Sequence, residues 1–154
     1  MPLRAAVEAD LDDIISLIKA LAEYEKLLHE VVLKREVMRE HLFGPNPAAK
    51  VLLAETDDHK VAGFALYFTT FSTFLGRPGI WLEDLFVLPE YRKHGYGKAL
   101  IQELRRLTDG RVEWAVLDWN EPSIKFYESL GAKRLEGWGT FRWDPAPSAE
   151  ASSS

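Results

Sequence analysis

The sequence predicts an α/β (α+β) fold in which a mixed, mainly antiparallel twisted sheet is flanked by helices. Three observations predict it. Strand-like segments at 51–55, 61–71 and 80–88 follow one another through short connections rich in turn residues, as hairpin-linked antiparallel strands do. A helical segment, 96–108, then separates 80–88 from a further strand-like segment at 112–119, the pattern of a β-α-β crossing. Two helices lie ahead of the strands, so the order reads strand, two helices, three strands, helix, strand, helix, strand pair.

Each element has a local cause. Residues 3–7 are a short apolar run suited to an edge or first strand. Asp10 has N-cap chemistry, and Asp12 and Asp13 suit the positive end of a helix. Leu11, Ile14, Ile15, Ile18, Leu21 and Ala22 recur at helical spacing and carry that helix to Tyr24 or Glu25. A shorter helix over 34–42 stops at Gly44-Pro45-Asn46-Pro47. Residues 57–60 are a polar hairpin turn, and 61–71 form a long strand rich in aromatic and β-branched side chains. Residues 71–79 read as a loop broken by Gly76, Pro78 and Gly79, whose Phe71, Phe74 and Leu75 either wall a pocket or cover the core. Pro89 ends the central strand, 80–88. Leu100, Ile101, Leu104 and Leu107 mark the apolar face of the next helix, which Asp109-Gly110 ends. Asn120 to Ser123 start the last helix, with Pro122 in its first turn and Gly131 as its closing residue. Residues 132–135 and 139–143 read as a final strand pair. From Pro145 onward the Pro, Ala, Ser and Glu composition predicts a disordered tail after a single domain over 1–144.

Composition narrows the function. A chain of 154 residues with 47% apolar and 28% charged content suits one soluble domain. Nineteen basic against 24 acidic side chains give a formal charge of −5, without the basic footprint of a nucleic-acid binder and compatible with a small cationic substrate. The absence of cysteine excludes disulfides, thiolate metal sites and a cysteine nucleophile. His29, His41, His59 and His94 lack the paired spacing of a zinc site, so no metal is expected. No run is long and apolar enough to span a membrane, and no signal peptide is recognisable, so the expected address is cytoplasmic with no membrane partner.

The chemistry concentrates in residues 82–100, a strand, a turn and the first turn of a helix. The strand carries the adjacent carboxylates Glu83 and Asp84; the turn carries Gly95 and Gly97 beside Arg92, Lys93, His94 and Lys98. A helix start offers unbonded N–H groups and partial positive charge, and glycine lets a phosphate come close. Two nucleotide motifs fail here. A P-loop needs Ser or Thr after Gly-Lys and glycine at position 92, where Ala99 and Arg92 stand; the dinucleotide fingerprint needs glycine where Leu100 stands.

What remains, Arg92-Lys93-His94-Gly95-Tyr96-Gly97, resembles the acetyl-CoA signature of the GNAT N-acetyltransferases. The likeness extends through residues 80–87, 116–120, Phe126-Tyr127 and 130–132, and through residues 21–25 near the start. These segments are similar to the spermidine/spermine (diamine) acetyltransferase branch, and residues 116–120 most resemble its thialysine-acetylating members. The likeness covers roughly residues 3–143.

The resemblance implies a GNAT fold, acetyl-CoA as co-substrate, a small cationic amine as acceptor and a homodimer. It implies that the backbone of Leu85, Phe86 and Val87 aligns the acetyl and pantetheine portions. Arg92, Lys93, His94, Gly95, Tyr96, Gly97 and Lys98 would receive the pyrophosphate, and Asn120, Glu121, Pro122, Ser123 and Tyr127 would also contact the cofactor. Glu83 would take the proton that an ammonium of pKa ~10 must lose before attack. Tyr127 would protonate the departing thiolate. From spacing alone, Tyr127 reads rather as a core aromatic in line with Ile124 and Leu130, and it is the resemblance that reverses this. Tyr24, Glu25, Glu83 and Asp84 would hold the acceptor, although strand alternation points Asp84 away from Glu83 unless a bulge re-aims it. Three departures from the branch stand out. Ser72 occupies the place of an acidic residue in polyamine-type members, which favours a shorter, thialysine-like amine; Lys93 stands where glycine is common; and residues 107–111 are shorter. The rival functions are acetylation of a protein lysine or N-terminus, and a binding module that holds acyl-CoA without turnover.

Overall fold

Backbone pairing starts at a short edge strand, β1 (Leu3–Ala5), and steps through β2 (Lys50–Glu55), β3 (Val61–Ser72) and β4 (Arg77–Val87) to β5 (Val112–Glu113). The five strands lie in sequence order, antiparallel except for the parallel β4–β5 pair. Helices α1 (Leu11–Tyr24) and α2 (Arg35–Phe43) precede β2, and α3 (Tyr96–Leu107) connects β4 to β5. This computed structural model describes residues 2–146, so most of the tail expected to be disordered lies outside the described residues. The chain divides after Leu117 into two compact units. The first holds the sheet with α1–α3; the second holds α4 (Glu121–Ser129).

The core follows from the two periodicities. Ile14, Leu17 and Leu21 recur on one side of α1 and pack on Val51, Leu53, Phe64, Leu66 and Phe86, alternate residues of three neighbouring strands. Ile14, Leu53 and Phe64 are fully buried, each worth about 1.5–3 kcal/mol of apolar transfer. The intervening strand residues face the other way, where α3 buries Leu100, Ile101 and Leu104 against β2, β3 and β4.

Four expectations need correction. The connection expected over 71–79 is mostly strand: Phe71 pairs with Pro78 and Ser72 with Arg77, so the turn is confined to four residues between β3 and β4. The Ser72 hydroxyl accepts the Leu75 N–H at 3.1 Å and its carbonyl accepts that of Gly76 at 2.7 Å, which closes the turn. The strand expected over 112–119 is limited to Val112 and Glu113, since only Ile80 and Trp81 of β4 have β5 partners. No strand forms over 132–135 or 139–143; Phe141 and Trp143 are almost wholly exposed, so their spacing does not correspond to a buried face. Asp10 does not cap α1 itself. A single 3-10 turn (Glu8–Asp10) precedes the helix, and the Asp10 carboxylate instead accepts the Val7 N–H at 2.7 Å and both Arg4 Nη groups.

Candidate active site

The register of β3 against β4 slips by one residue at the carboxylates. Leu66 stands opposite Asp84 and Tyr67 opposite Leu82, so Glu83 is an extra residue in β4, a β-bulge. The bulge cancels one step of alternation. Asp84, opposite Leu66, shares the α1-facing side of the sheet, and Glu83 lies on the side of Trp81, whose indole N–H donates to Glu83 Oε1 at 3.0 Å. The bulge foreseen as a condition for re-aiming Asp84 is therefore present, and both side chains serve one face.

Electrostatics links a third carboxylate to this pair. Glu25 ends α1, its N–H bonded to the Leu21 carbonyl at 2.9 Å. Asp84 is pushed up to about 7, first by burial and then by the negative charges of Glu83 and Glu25. Glu25 is itself raised by burial. Every influence on Asp84 favours its neutral form, so a cation entering beside it would be strongly welcomed. Among the described residues, no group of three or more His, Cys, Asp or Glu side chains is arranged to hold a metal ion.

The turn after β4 is shaped for an anion. A 3-10 turn (Pro89–Tyr91) ends β4, and two residues then adopt left-handed backbone: Lys93 at φ 67° and Gly95 at φ 85°. Gly95 is the N-cap of α3, which has no side-chain cap and no acidic residue in its first turn. The first backbone bond into the helix is Ala99 N–H to the Gly95 carbonyl, 3.0 Å, so the preceding N–H groups of Tyr96, Gly97 and Lys98 have no acceptor within the helix. Lys93, His94 and Lys98 are exposed around them.

Arg92 behaves differently from its neighbours. Its Nε donates to the Val87 carbonyl at 3.0 Å, and its guanidinium lies 5.3 Å from the ring centroids of both Tyr24 and Phe86. It therefore ties the end of α1 to the end of β4 and places Tyr24 and Glu25 beside the carboxylate strand. Phe86 buries its side chain in the core, so only its backbone is available to a ligand. Beyond Trp81, β4 has no strand partner on the side away from β3 among the described residues, which leaves alternate backbone groups of 82–87 directed outward along an edge. Gly79 and Gly110 allow the close approach where β5 joins β4, because a Cβ on either would lie within 2.5 Å of a carbonyl oxygen across the β4–β5 contact.

The second unit carries the remaining expected residues. Asn120, buried, caps α4 by accepting the Ser123 N–H at 3.4 Å, with Glu121 and Pro122 opening the helix. Tyr127 is half-buried on α4, its ring 5.4 Å from that of Phe126. The sequence reading missed the Trp81–Glu83 bond. Tryptophan two residues before an acid on a strand was its only signal, and that spacing is common.

An anion-ready helix start next to an open strand edge and a carboxylate cluster is what a transferase needs for an anionic carrier and a cationic acceptor. The model of the acetyltransferase (GNAT) family matches residues 15–132, most of the chain, and the protein belongs to that family and is an N-acetyltransferase. It is 38% identical to the thialysine N-epsilon-acetyltransferase of Mus musculus, over 92% of this chain and 91% of that protein. The Sus scrofa thialysine N-epsilon-acetyltransferase is 37% identical over the same shares. An L-ornithine N5-acetyltransferase of Arabidopsis thaliana is 41% identical over 58% of this chain and 41% of that protein. Among solved structures, an integron cassette protein of V. cholerae superposes with a TM-score of 0.76 at 23% identity, covering 94% of this chain and 92% of that one. An aminoglycoside acetyltransferase from a soil metagenome, in complex with sisomicin, superposes with a TM-score of 0.73 at 19% identity, covering 94% and 96%.

Proposed function

We propose that this protein transfers an acetyl group from acetyl-CoA to the primary amine of a small cationic molecule, a thialysine-like amino acid or short diamine, by direct transfer in a ternary complex. The observation that carries this reading is the bulge at Glu83, which turns Glu83 and Asp84 onto one face with Glu25 within electrostatic reach of Asp84. Two extended relatives that act on thialysine support the acceptor class. Ser72, tied into a tight turn, supplies no additional anion for a long polyamine.

The residues fit the carrier. The N–H groups at the start of α3, with Lys93, His94 and Lys98, would hold its pyrophosphate, and the open edge of β4 from Leu85 to Val87 would line its pantetheine arm. Acetyl-CoA supplies an activated acetyl thioester when bound. Glu83 takes the acceptor's proton through a water molecule. Glu25 and Asp84 hold positive charge, and Asp84 ionises as the cation arrives. Outward N–H groups of β4 offer donors to a carbonyl oxygen that gains charge. The Tyr127 phenol keeps the proton required by the leaving thiol. Arg92 also fixes Tyr24 and the end of β4 through its guanidinium. The same reading takes the protein to be a cytoplasmic homodimer whose residues 1–144 act as one catalytic domain.

The test is an acetyl-CoA assay over thialysine, lysine, putrescine, spermidine and a histone-like peptide. The chain has no cysteine, so a thiol reagent reads released CoA alone. The expected result is highest kcat/KM for the thialysine-like amine. Turnover of the peptide alone, or acetyl-CoA binding with no acceptor used, overturns the reading.

A further inference from the structure

We propose that Trp81 is a positioning residue for Glu83: its indole N–H fixes the carboxylate that takes the acceptor's proton. The inference rests on the acetyl transfer proposed above. A bulge residue lacks the ladder support of its neighbours, and the Glu83 side chain is exposed, so without a tether it would sample several rotamers. Trp81 supplies the tether from a rigid place. It lies in the part of β4 paired on both sides, opposite Phe68 on β3 and Glu113 on β5, and its ring is half-buried. The 3.0 Å bond engages Oε1 and leaves the second carboxylate oxygen to receive a proton. Indole nitrogen is a donor only, so Trp81 holds the carboxylate without competing for that proton.

The geometry also divides labour within the adjacent pair. Glu83, bonded to Trp81, has a fixed direction; Asp84, half-buried beside Glu83 and Glu25, responds to the charge of what enters. A group positioned for proton transfer loses rate when its direction is released, even if the substrate still binds.

The experiment is a double-mutant cycle on the full chain with the best acceptor from the amine panel. Trp81→Phe keeps an aromatic ring and removes the donor; Glu83→Ala removes the acceptor. The cycle is read at neutral pH and at a pH near that of the free amine, where Glu83→Ala retains measurable turnover. The expected result is a fall in kcat of about 3- to 10-fold for Trp81→Phe with the KM for acetyl-CoA unchanged, and no further fall when it is added to Glu83→Ala. Benzothienylalanine at position 81 keeps the bicyclic shape and lacks only the N–H, so it should reproduce the loss if the Phe variant fails to fold. An equal fall in both backgrounds, or full kcat with either replacement, overturns the positioning role while leaving acetyl transfer intact. Full activity of Glu83→Ala at neutral pH removes Glu83 from the reaction and Trp81 with it. A wild-type protein that acetylates no amine fails the functional reading itself.

Discussion

At the β1–β2 edge, Arg4 bonds bidentately to Asp10, at 2.8 and 2.9 Å, and also to Glu55, and both carboxyls are held below their ordinary range, chiefly by those bonds. Two strands away in the same sheet, Asp84 is pushed the opposite way, to about 7, by burial and by Glu83 and Glu25. The backbones differ in the same sense. The first region is regular and closes its charges within itself. The second has a bulge, two left-handed residues and an uncapped helix. Paired charge is tolerated within a fold and costly to break, whereas crowded like charge costs stability and gains from a ligand. The difference separates the part of the sheet that holds the molecule together from the part that works.

The sharpest way to break the closed region is Asp10→Ala. Asp10 is buried, while Arg4 is partly exposed, so the loss should be about 2–4 kcal/mol, including the bond to Val7 N–H. Urea denaturation measures it, and kcat should be unchanged. In the open region, Glu83→Gln should do the reverse. Stability stays within ~0.5 kcal/mol and kcat at neutral pH falls about 100-fold, with the deficit shrinking as pH approaches the amine pKa. Equal responses of stability and rate in the two variants would erase the distinction.

Asp84→Asn probes the same contrast through pH. The folded Asp84 keeps its proton up to about 7, while the unfolded chain releases it in the ordinary carboxylate range. Between those limits the folded state binds more protons, so this group's contribution to stability is complete at low pH and is lost as pH rises to about 7. Asp10 has the opposite sign: its contribution is present above the ordinary carboxylate range and is lost as pH falls through its lowered value. The Asn variant should therefore be more stable than wild type above neutral pH, by about 1–2 kcal/mol after solvent screening, with the difference shrinking as pH falls and vanishing only below the ordinary carboxylate range. Denaturation at several pH values decides this; a variant less stable at every pH would mean that Asp84 is ionised and bonded in the fold.

How far these regions could be read in the sequence depends on how local their causes are. The apolar spacing of Ile14, Leu17 and Leu21, the glycine at 95 and the helix start at Asn120 act within one or two turns, and the corresponding elements formed where expected. The bulge at Glu83 arises from register against β3, which no residue in Leu82-Glu83-Asp84 announces. The Trp81–Glu83 bond and the Arg92 contacts with Tyr24 and Phe86 are side-chain placements that no local pattern announces. The hairpin runs longer than expected, with Pro78 taking a paired position opposite Phe71 although proline reads as a breaker in sequence. The strand over 112–119 was over-read because alternation reports which face a residue favours, not whether a neighbour is present, and β5 leaves β4 after two pairs.

Lys93 offers the smallest and most discriminating change. Its φ of 67° costs an L-residue about 1 kcal/mol, and glycine would relieve it, less the entropy that glycine adds to the unfolded chain. Lys93→Gly should therefore gain about 0.5 kcal/mol in thermal or chemical denaturation. It also removes one cation from the approach to the α3 N-terminus, so acetyl-CoA affinity measured by calorimetry should fall roughly 2- to 5-fold at low salt, and less at high salt. Opposite signs in the two measurements would mean that the strained lysine is kept for the carrier rather than for the fold, as the open region requires. A variant that is more stable and binds acetyl-CoA as well as wild type would reduce Lys93 to an incidental residue and leave the backbone N–H groups of the turn as the whole of the anion site.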